Sequence, residues 1–392
     1  MSGKKIIVVA SYPDSVLNFR FHLLMNFLEL GFDVTVAGPK DDFVANKLKQ
    51  FGIKYIDIKL KRKRFSLFKD VRLTLDLIKI FKQEKADMVL NFRIKPSIFA
   101  TIAAKFSKVK EIYSIPTNAC YLFDDDTFKS RVSGVVGRLL FKLSLKYNTK
   151  IFFQNKENYN MFLKYNLISK DQPVKICNCT GVDLNYFIES PMPKVTSFIM
   201  MSRLTKNKGI KEYIDAARII RQQYPYVEFK LVGFVDKNKN SASQEKIDKA
   251  NIDGVITFID RYYDVRKAIE SSSVCVLPSY GEGTHEAVLE SMAMGRAIIA
   301  TDAPGCNETV IPNKNGFLIE PKNAEALAIA MEYFITNPDQ VSSMGKASRA
   351  LCAAKYDVRK TNNAILEGMD IDISKITKIN FESFSKVKSS AY

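Results

Sequence analysis

The chain has 392 residues, of which 46% are hydrophobic, and this content is enough to build a large buried core and two domains rather than one. A chain that is disordered as a whole is therefore excluded. The apolar run at residues 6–10 is too short for a signal peptide, and no stretch of about 18 uncharged apolar residues predicts a membrane-spanning helix.

The positive charge is concentrated in the first half of the chain. The formal net charge is +17; residues 1–195 contain 33 Lys and Arg against 18 Asp and Glu, whereas the remainder contains 26 against 24. This asymmetry predicts an anionic partner for the first half: a membrane surface, a phospholipid or diphosphate substrate, or a nucleic acid. The six cysteines include no CxxC pair, so we expect reduced, structural thiols and a cytoplasmic protein.

Both halves of the chain alternate short apolar runs with helical patterns. The runs of the first half are residues 5–10, 33–37, 87–91, 111–114 and 150–154. Those of the second half are residues 197–201, 228–232, 255–259, 274–277 and 297–300. Short uninterrupted strands between helices predict parallel sheets that are covered on both faces, and hence an α/β protein with two Rossmann-like domains facing each other across a cleft.

The first predicted helix, residues 15–30, places Val16, Leu23 and Phe27 at helical spacing, and Gly31 is its expected stop. His22 lies on this helix, and we expect it to pack rather than to catalyse.

The segment 188–197 contains two prolines and no periodicity, which is typical of a linker. We assign a first domain to residues 1–190 and a second to residues 191–357. Residues 358–392 are assigned to a helix that crosses back to the first domain and a polar tail, on which no further structure is predicted. Ligands of parallel sheets bind at the carboxyl ends of the strands, so the residues after each strand are the candidates for chemistry.

The stretch "YGEGTHEAVLESMAMG", residues 280–295, follows one of these strands. Its two glycines allow close backbone approach to a ligand, Thr284 is a suitable N-cap, and the first-turn amides favour an anion such as a phosphate. Glu290 would lie about 9 Å farther along the helix, where its carboxylate can accept two hydrogen bonds from a ribose. Glu282, in the turn, would project toward the group beyond the phosphates.

A second cluster, "MSRLTKNKGIKEY" at residues 201–213, also lies between a strand and a helix. Arg203 and Lys208 are five residues apart in a loop that ends in glycine, a spacing that suits two cations closing on a diphosphate. Alone each cluster is typical of a solvated loop. Together and in this order they favour a nucleotide-sugar site.

These motifs resemble those of family 4 glycosyltransferases with the GT-B fold, including their E-x7-E pattern. The resemblance rests on "SRLTKNKGI", "DRYYDVRKAIESSSVCVLPSYGEGTHEAVLESMAMGRAIIATDAPGCNETV" and "NKNGFLI" in the second half, and on "LNFR", "IKP", "FFQN" and "GVDLNYF" in the first. It covers roughly residues 4–368. The chain is most similar to bacterial enzymes that build O-antigen, capsule and lipid-linked oligosaccharide units.

The resemblance implies retaining transfer of a hexose or N-acetylhexosamine from a UDP-sugar to a polyprenyl-diphosphate-linked saccharide, without a cofactor or bound metal. It implies that Glu290 holds the ribose and that Arg203 and Lys208 neutralise the departing diphosphate. Glu282 would contact the donor sugar, and Arg261 would border the base. The remaining donor-binding positions are Gly283, Thr284, His285, Ala287 and Val288.

The acceptor-binding residues implied by the resemblance are Asn18, Arg93, Lys95, Thr117 and Asn118. Two positions depart from the family pattern. His285 stands where relatives often have proline, and it is either an exposed first-turn residue or a substitution beside the diphosphate. The loop at residues 116–123 replaces a glycine-rich loop, so the acceptor is the least transferable inference.

Two charged runs require separate interpretation. Asp124–Asp126 follow a loop rather than a strand end, so we expect a solvated run, or second an acceptor loop, rather than a metal site. The basic run of Lys59, Lys61, Arg62, Lys63 and Arg64 precedes apolar residues, and we expect it to bind anionic lipid on the inner face of the cell membrane.

Three other functions fit these motifs less well. A nucleotide-sugar epimerase on the same fold would act on the donor alone. A nucleic-acid-binding protein would explain the charge, but it predicts a recognised module or interleaved aromatics, which the sequence lacks. A dehydrogenase is disfavoured because no GxGxxG follows the first strand.

Overall fold

The protein is described here by a computed structural model. It describes residues 3–60, 66–117, 128–178, 180–233, 244–260, 264–281, 285–374 and 376. These residues form two compact units. Unit 1 contains the described residues up to Thr180 and those from Arg359 onward, and unit 2 is Gly181–Val358.

Unit 1 is built on a seven-stranded parallel sheet with the order β3-β2-β1-β4-β5-β6-β7. Its strands are β1 (Lys5–Val9), β2 (Asp33–Gly38), β3 (Lys54–Asp57), β4 (Met88–Phe92), β5 (Glu111–Ile115), β6 (Lys150–Phe153) and β7 (Val174–Ile176). Its first helices are α1 (Pro13–Ser15), α2 (Phe21–Glu29), α3 (Asp42–Lys49), α4 (Leu67–Glu84), α5 (Ile94–Phe106), α6 (Phe128–Leu145) and α7 (Lys156–Lys164). A π-helix, Val16–Arg20, connects α1 to α2.

Unit 2 contains a six-stranded parallel sheet with the order β10-β9-β8-β11-β12-β13. Its strands are β8 (Ser197–Met201), β9 (Glu228–Gly233), β10 (Thr257–Asp260), β11 (Val274–Leu277), β12 (Ala297–Thr301) and β13 (Gly316–Ile319). The later helices are α8 (Ile210–Gln223), α9 (Gln244–Ile252), α10 (Val265–Glu270), α11 (Glu286–Ala293), α12 (Ala324–Thr336), α13 (Pro338–Lys355) and α14 (Val358–Gly368). Both sheets have the doubly wound strand order. In unit 1 the order of strand addition reverses between β1 and β4, and in unit 2 it reverses between β8 and β11.

Each sheet is covered on both faces, as the uninterrupted apolar strands predict. In β1, Ile6 and Val8 belong to one buried cluster, whereas Ile7 and Val9 belong to another. Strand β8 divides its side chains between two clusters in the same way. This alternation follows from the two-residue period of a strand.

All ten predicted strands are present, within two residues at each end. The three strands that the pattern missed, β3, β7 and β13, lie at sheet edges, where partial exposure removes the continuous apolar run. The predicted first helix is divided into α1, the π-helix and α2, and Gly31 follows it with a positive φ of 81°. His22 is buried in α2.

The passage from unit 1 to unit 2 lies at Thr180 and Gly181, ten residues before the predicted boundary. Val182, Leu184 and Phe187 pack in a core cluster of unit 2, which explains this position. Of the segment after Met369, the structure describes residues 370–374 and 376, and Ile371 is buried there in a core cluster of unit 1. The rest of the predicted polar tail lies outside the described residues. Cys177, Cys275, Cys306 and Cys352 are all buried, as expected for structural thiols; Cys120 and Cys179 lie outside the described residues.

Candidate functional site

The two second-half motifs meet at the point where the strand order of unit 2 reverses. Strands β8 and β11 are hydrogen-bonded neighbours, with Val274 opposite Phe198. Arg203 follows the carboxyl end of β8, and the segment that begins at Pro278 follows the carboxyl end of β11. Ligands of doubly wound sheets bind in the crevice at this reversal, so the topology supports the predicted location of the site.

Direct contacts join the two loops. The Tyr280 amide N–H donates to the Asn207 carbonyl oxygen at 3.0 Å, and the Tyr280 hydroxyl donates to Glu212 Oε1 at 2.8 Å. Gly209 has a φ of 74°, and a Cβ at this position would overlap the carbonyl oxygen of Pro278. Glycine is therefore required at residue 209 both for its backbone conformation and for the close approach of the loops.

Lys208 is the buried cation of this site. It ends a short 3-10 helix, Lys206–Lys208, and only 3% of its surface is exposed. Burial and the positive charge of Arg203 lower the pKa of Lys208 to about 7, although Cys306 and Glu286 act in the opposite direction. Arg203 is exposed. The site therefore combines one permanently charged group with one whose charge responds to its surroundings.

Three polar atoms around these loops are buried and have no hydrogen-bond partner among the described residues: Ser202 Oγ, Ser279 Oγ and His285 Nδ1. Buried polar atoms are normally paired, so such a group of atoms indicates a place for a polar ligand or ordered water. The pKa of His285 is lowered to about 3, by burial first and then by the charges of Lys208 and Arg203. Its imidazole is therefore neutral near pH 7.

Helix α11 begins later than the sequence predicts. Val288 and Leu289 donate amide hydrogens to the His285 carbonyl oxygen, so His285 is the N-cap residue, and the prediction of Thr284 was wrong. Glu290 then lies about 7.5 Å along the helix from the cap, at 1.5 Å per residue. The amide of Val288 is used inside the helix and its side chain is buried. The donor contacts of Ala287 and Val288 stay predictions.

A further group of residues centres on Tyr186, whose pKa Glu290 influences. The Arg266 guanidinium lies 4.0 Å from the ring centroid of Tyr186 and donates to both carboxylate oxygens of Asp264, at 2.8 and 2.7 Å. Burial raises the pKa of Tyr186; Arg266 lowers it, and Asp264, Glu290 and Asp183 add smaller increases. Tyr186 and Arg266 are thus candidates for the nucleoside end of the site.

The predicted site residues did not include Ser202, Ser279, Tyr186 and Arg266. Ser202 directly follows β8 and Ser279 follows β11 after one proline, and these positions at strand ends are a signal that could have identified both serines. No comparable signal marks the stacking of Arg266 on Tyr186, because it depends on tertiary structure. Glu282, Gly283, Thr284 and Arg261 lie outside the described residues.

The predicted acceptor residues lie in unit 1. Asn18 is in the π-helix after β1, Arg93 directly follows β4, and Thr117 follows β5. These three positions lie on the side of the sheet where the carboxyl ends of its strands meet, because the strands are parallel. Lys95 is buried in α5 and pairs with Asp70 of α4 at 3.0 Å. This pair accounts for Lys95 structurally, and its contact with an acceptor stays a prediction.

Other predicted positions are only partly covered by the structure. Lys59 is exposed, whereas Lys61, Arg62, Lys63, Arg64, Asn118 and Asp124–Asp126 lie outside the described residues. Within the described ranges, no helix combines the length and apolarity needed to cross a membrane. The described side chains also include no group of three His, Cys, Asp or Glu residues positioned to hold a metal ion.

Two models of known protein families match this chain. The model described as "Glycosyl transferases group 1" matches residues 187–351, and that described as "Glycosyl transferase 4-like" matches residues 8–155. The chain belongs to the glycosyltransferases. The first match spans the β8 and β11 loops of this glycosyltransferase, and the second spans the β1 and β4 ends.

Curated relatives align over most of the glycosyltransferase. The N,N'-diacetylbacillosaminyl-diphospho-undecaprenol alpha-1,3-N-acetylgalactosaminyltransferase of Campylobacter jejuni is 26% identical over 88% of this chain and 92% of the relative. The UDP-Gal:alpha-D-GlcNAc-diphosphoundecaprenol alpha-1,3-galactosyltransferase of Escherichia coli is 24% identical over 84% and 86%.

Solved structures confirm the GT-B fold. Anabaena HepE in complex with UDP has a TM-score of 0.74 at 16% identity, over 94% of this chain and 100% of that one. A glycosyltransferase from Rickettsia africae has a TM-score of 0.73 at 18% identity, over 94% and 98%.

Proposed function

We propose that this glycosyltransferase moves a hexose or N-acetylhexosamine, with retention of configuration, from a UDP-sugar to a polyprenyl-diphosphate-linked saccharide during surface polysaccharide synthesis. The observation that carries the donor half of this proposal is the group around Lys208. A buried cation, an exposed arginine and two serine hydroxyls that have no hydrogen-bond partner among the described residues adjoin the strand reversal of unit 2. A diphosphate would supply negative charge opposite the two cations and acceptor oxygens for the two hydroxyls.

In the proposed arrangement, Arg203 and Lys208 bind the diphosphate and stabilise it as it departs. Glu290 holds the ribose, and Glu282 contacts the donor sugar. Retention is proposed to proceed by attack on the same face from which the diphosphate leaves, with a phosphate oxygen taking the proton of the acceptor hydroxyl. The bond from the anomeric carbon to the diphosphate breaks as the bond to the acceptor oxygen forms.

Two cations already oppose the leaving-group charge, so we propose that no divalent metal is needed. Addition of a chelator should leave transfer nearly unchanged. Loss of most activity on chelation, with recovery on adding Mg²⁺ or Mn²⁺, would overturn this part of the proposal.

The acceptor half of the proposal rests on the relatives. The Campylobacter jejuni and Escherichia coli enzymes both carry diphospho-undecaprenol saccharides in their names, and the latter also carries UDP-Gal. The excess of positive charge in residues 1–195 is consistent with an anionic acceptor.

The deciding experiment incubates the protein with a panel of UDP-sugars and a short-chain lipid-diphosphate-saccharide. One UDP-sugar should yield a product whose new linkage keeps the donor's anomeric configuration by NMR. An inverted linkage would refute retention. Donor-only reactions identify hydrolysis or epimerisation, and an epimerised donor without transfer would favour the epimerase alternative.

The role of Arg203 is tested with a neighbouring control. Arg203→Ala should lower kcat by at least about tenfold, since it removes a charged contact that strengthens as the diphosphate leaves. Lys206→Ala changes an exposed cation in the same loop and should have little effect. Equal kcat values for the two variants would refute the assignment of Arg203.

We also propose that the enzyme attaches reversibly to the inner face of the cell membrane through the basic run at residues 59–64 and the start of α4. Phe68, Val71 and Leu75 recur on one side of α4 and are exposed, Phe68 at 89%. Apolar side chains next to a basic run favour binding to anionic lipid. Neutralising residues 61–64, or changing Phe68→Ser, should release the protein from anionic liposomes without altering donor affinity; unchanged liposome binding would refute this attachment.

A further inference from the structure

Arg93 has a backbone conformation that arginine rarely adopts. Its φ is 72° and its ψ is 172°, a region that is nearly restricted to glycine and strains any other residue. The fold enforces this geometry, because the Arg93 amide donates to the Ile115 carbonyl oxygen at 3.0 Å. The Arg93 carbonyl oxygen in turn accepts from the Ser97 amide at 3.0 Å and from Ser97 Oγ at 2.6 Å. An arginine where glycine would be less strained indicates a use for the side chain.

A second irregular segment lies beside it. The chain after β1 forms the π-helix Val16–Arg20, a rare conformation that is found mostly at functional sites. The residue that ends this π-helix, Arg20, places its guanidinium 4.5 Å from the ring centroid of Phe92. The Arg93 guanidinium lies 5.9 Å from the ring centroid of Tyr12.

Both irregular segments lie where the strand order of unit 1 reverses. The sheet runs β3-β2-β1-β4, with Val9 opposite Asn91, so β1 and β4 end side by side. Tyr12 and the π-helix follow β1, whereas Phe92 and Arg93 end and follow β4. The two arginines therefore stack on rings contributed by both strand ends, at the crevice that doubly wound sheets use for ligands.

The chemistry of the pair specifies an anion with two charged groups. A guanidinium stays charged at all working pH values, and its planar fork matches two phosphate oxygens. Stacking on Phe92 and Tyr12 restricts the orientation of each fork. We propose that Arg20 and Arg93 together bind the diphosphate of the lipid-linked acceptor; this assignment rests on the proposed function of the enzyme.

A diphosphate could also come from the nucleotide sugar, so the first experiment compares KM for the two substrates. Arg93→Gly removes the side chain and relaxes the backbone, so its thermal midpoint should equal or exceed that of the wild type. Its acceptor KM should rise at least about tenfold, and that of Arg20→Gln likewise, with donor KM unchanged. Arg218→Gln, an exposed arginine on α8, is the control.

A second experiment does not depend on catalysis. Inorganic pyrophosphate is titrated calorimetrically into the full chain carrying Arg203→Ala and Lys208→Ala, which removes the donor cations. Binding should persist in this background and be lost on adding Arg93→Gly or Arg20→Gln. Arg93→Lys replaces the planar guanidinium by a point charge, so this variant should keep only part of the pyrophosphate binding.

The outcomes are separable. An unchanged acceptor KM in both Arg93→Gly and Arg20→Gln, with pyrophosphate still bound, overturns the proposal. A rise in donor KM rather than acceptor KM overturns the assignment to the acceptor. If the wild-type chain transfers to no lipid diphosphate but Arg93→Gly still abolishes pyrophosphate binding, the proposed function falls while the anion site stands.

Discussion

Donor binding should take up a proton at Lys208. In the free protein, burial and the Arg203 charge lower the pKa of Lys208 to about 7. A diphosphate beside the ammonium favours its charged form and must raise this pKa. Two neighbours of Lys208 do not titrate between about pH 6 and 9, since the pKa of His285 is lowered to about 3 and burial raises that of Cys306 to about 11. A nucleotide sugar, whose diphosphate is doubly esterified, also keeps its charge there.

The magnitude follows from the free-state pKa. At about pH 8 only one Lys208 in about eleven is charged, so binding should take up about 0.9 proton; at about pH 6 it should take up about 0.1. Because only the charged form binds well, Kd is flat below pH 7 and rises about tenfold per pH unit above it, until the pKa of the bound state is reached. Kd rises with pH because Lys208, whose pKa is lowered, loses its positive charge as the pH rises.

Isothermal titration calorimetry with a non-hydrolysed donor analogue, in buffers of different ionisation enthalpy, measures this uptake directly. Lys208→Arg keeps its charge and should bind with no proton uptake and a flat Kd across the range. Lys206→Arg, on the same short 3-10 helix but exposed, should behave as the wild type. Proton uptake near zero at pH 8 in the wild type, or uptake that persists in Lys208→Arg, would refute the reasoning.

Three further changes test features of unit 2. Glu290→Gln should weaken nucleotide binding about tenfold or more with a smaller effect on kcat, measured by calorimetry and initial rates; equal loss of both would contradict a ribose contact. Gly209→Ala should lower stability by at least about 2 kcal/mol more than Gly254→Ala in urea unfolding, since both glycines have positive φ but only residue 209 lacks space for a Cβ. Arg296→Met should lower the thermal midpoint by several degrees, because the fully buried guanidinium donates to the carbonyl oxygens of Ile269 and Ser190.

The interior of the fold was predictable because buried parallel strands carry continuous apolar runs. The edge strands β3, β7 and β13 were not, since an exposed edge needs no such run. The π-helix also escaped prediction: residues 15–30 have ordinary helical spacing, and nothing local shows that one turn is wider than the rest.

The site was predictable where chemistry requires a residue type. Arg203, Lys208 and the loop after β11 were predicted to lie together because both clusters follow strands of one domain, and the structure joins their loops through Tyr280 and Asn207. The side-chain environment was not predictable. The resemblance implies an acceptor contact for Lys95, and only tertiary structure shows that its side chain is buried against Asp70.

The composition of unit 1 has a consequence for the order in which the protein is made. Ile365, Leu366 and Met369 belong to the same core cluster as Phe152, and the Tyr113 hydroxyl donates to the Met369 carbonyl oxygen at 3.3 Å. These contacts join residues synthesised more than two hundred positions apart. All seven strands of this sheet therefore emerge from the ribosome before the segment that closes one side of its core, and unit 1 completes its packing only after the whole of unit 2 has been translated.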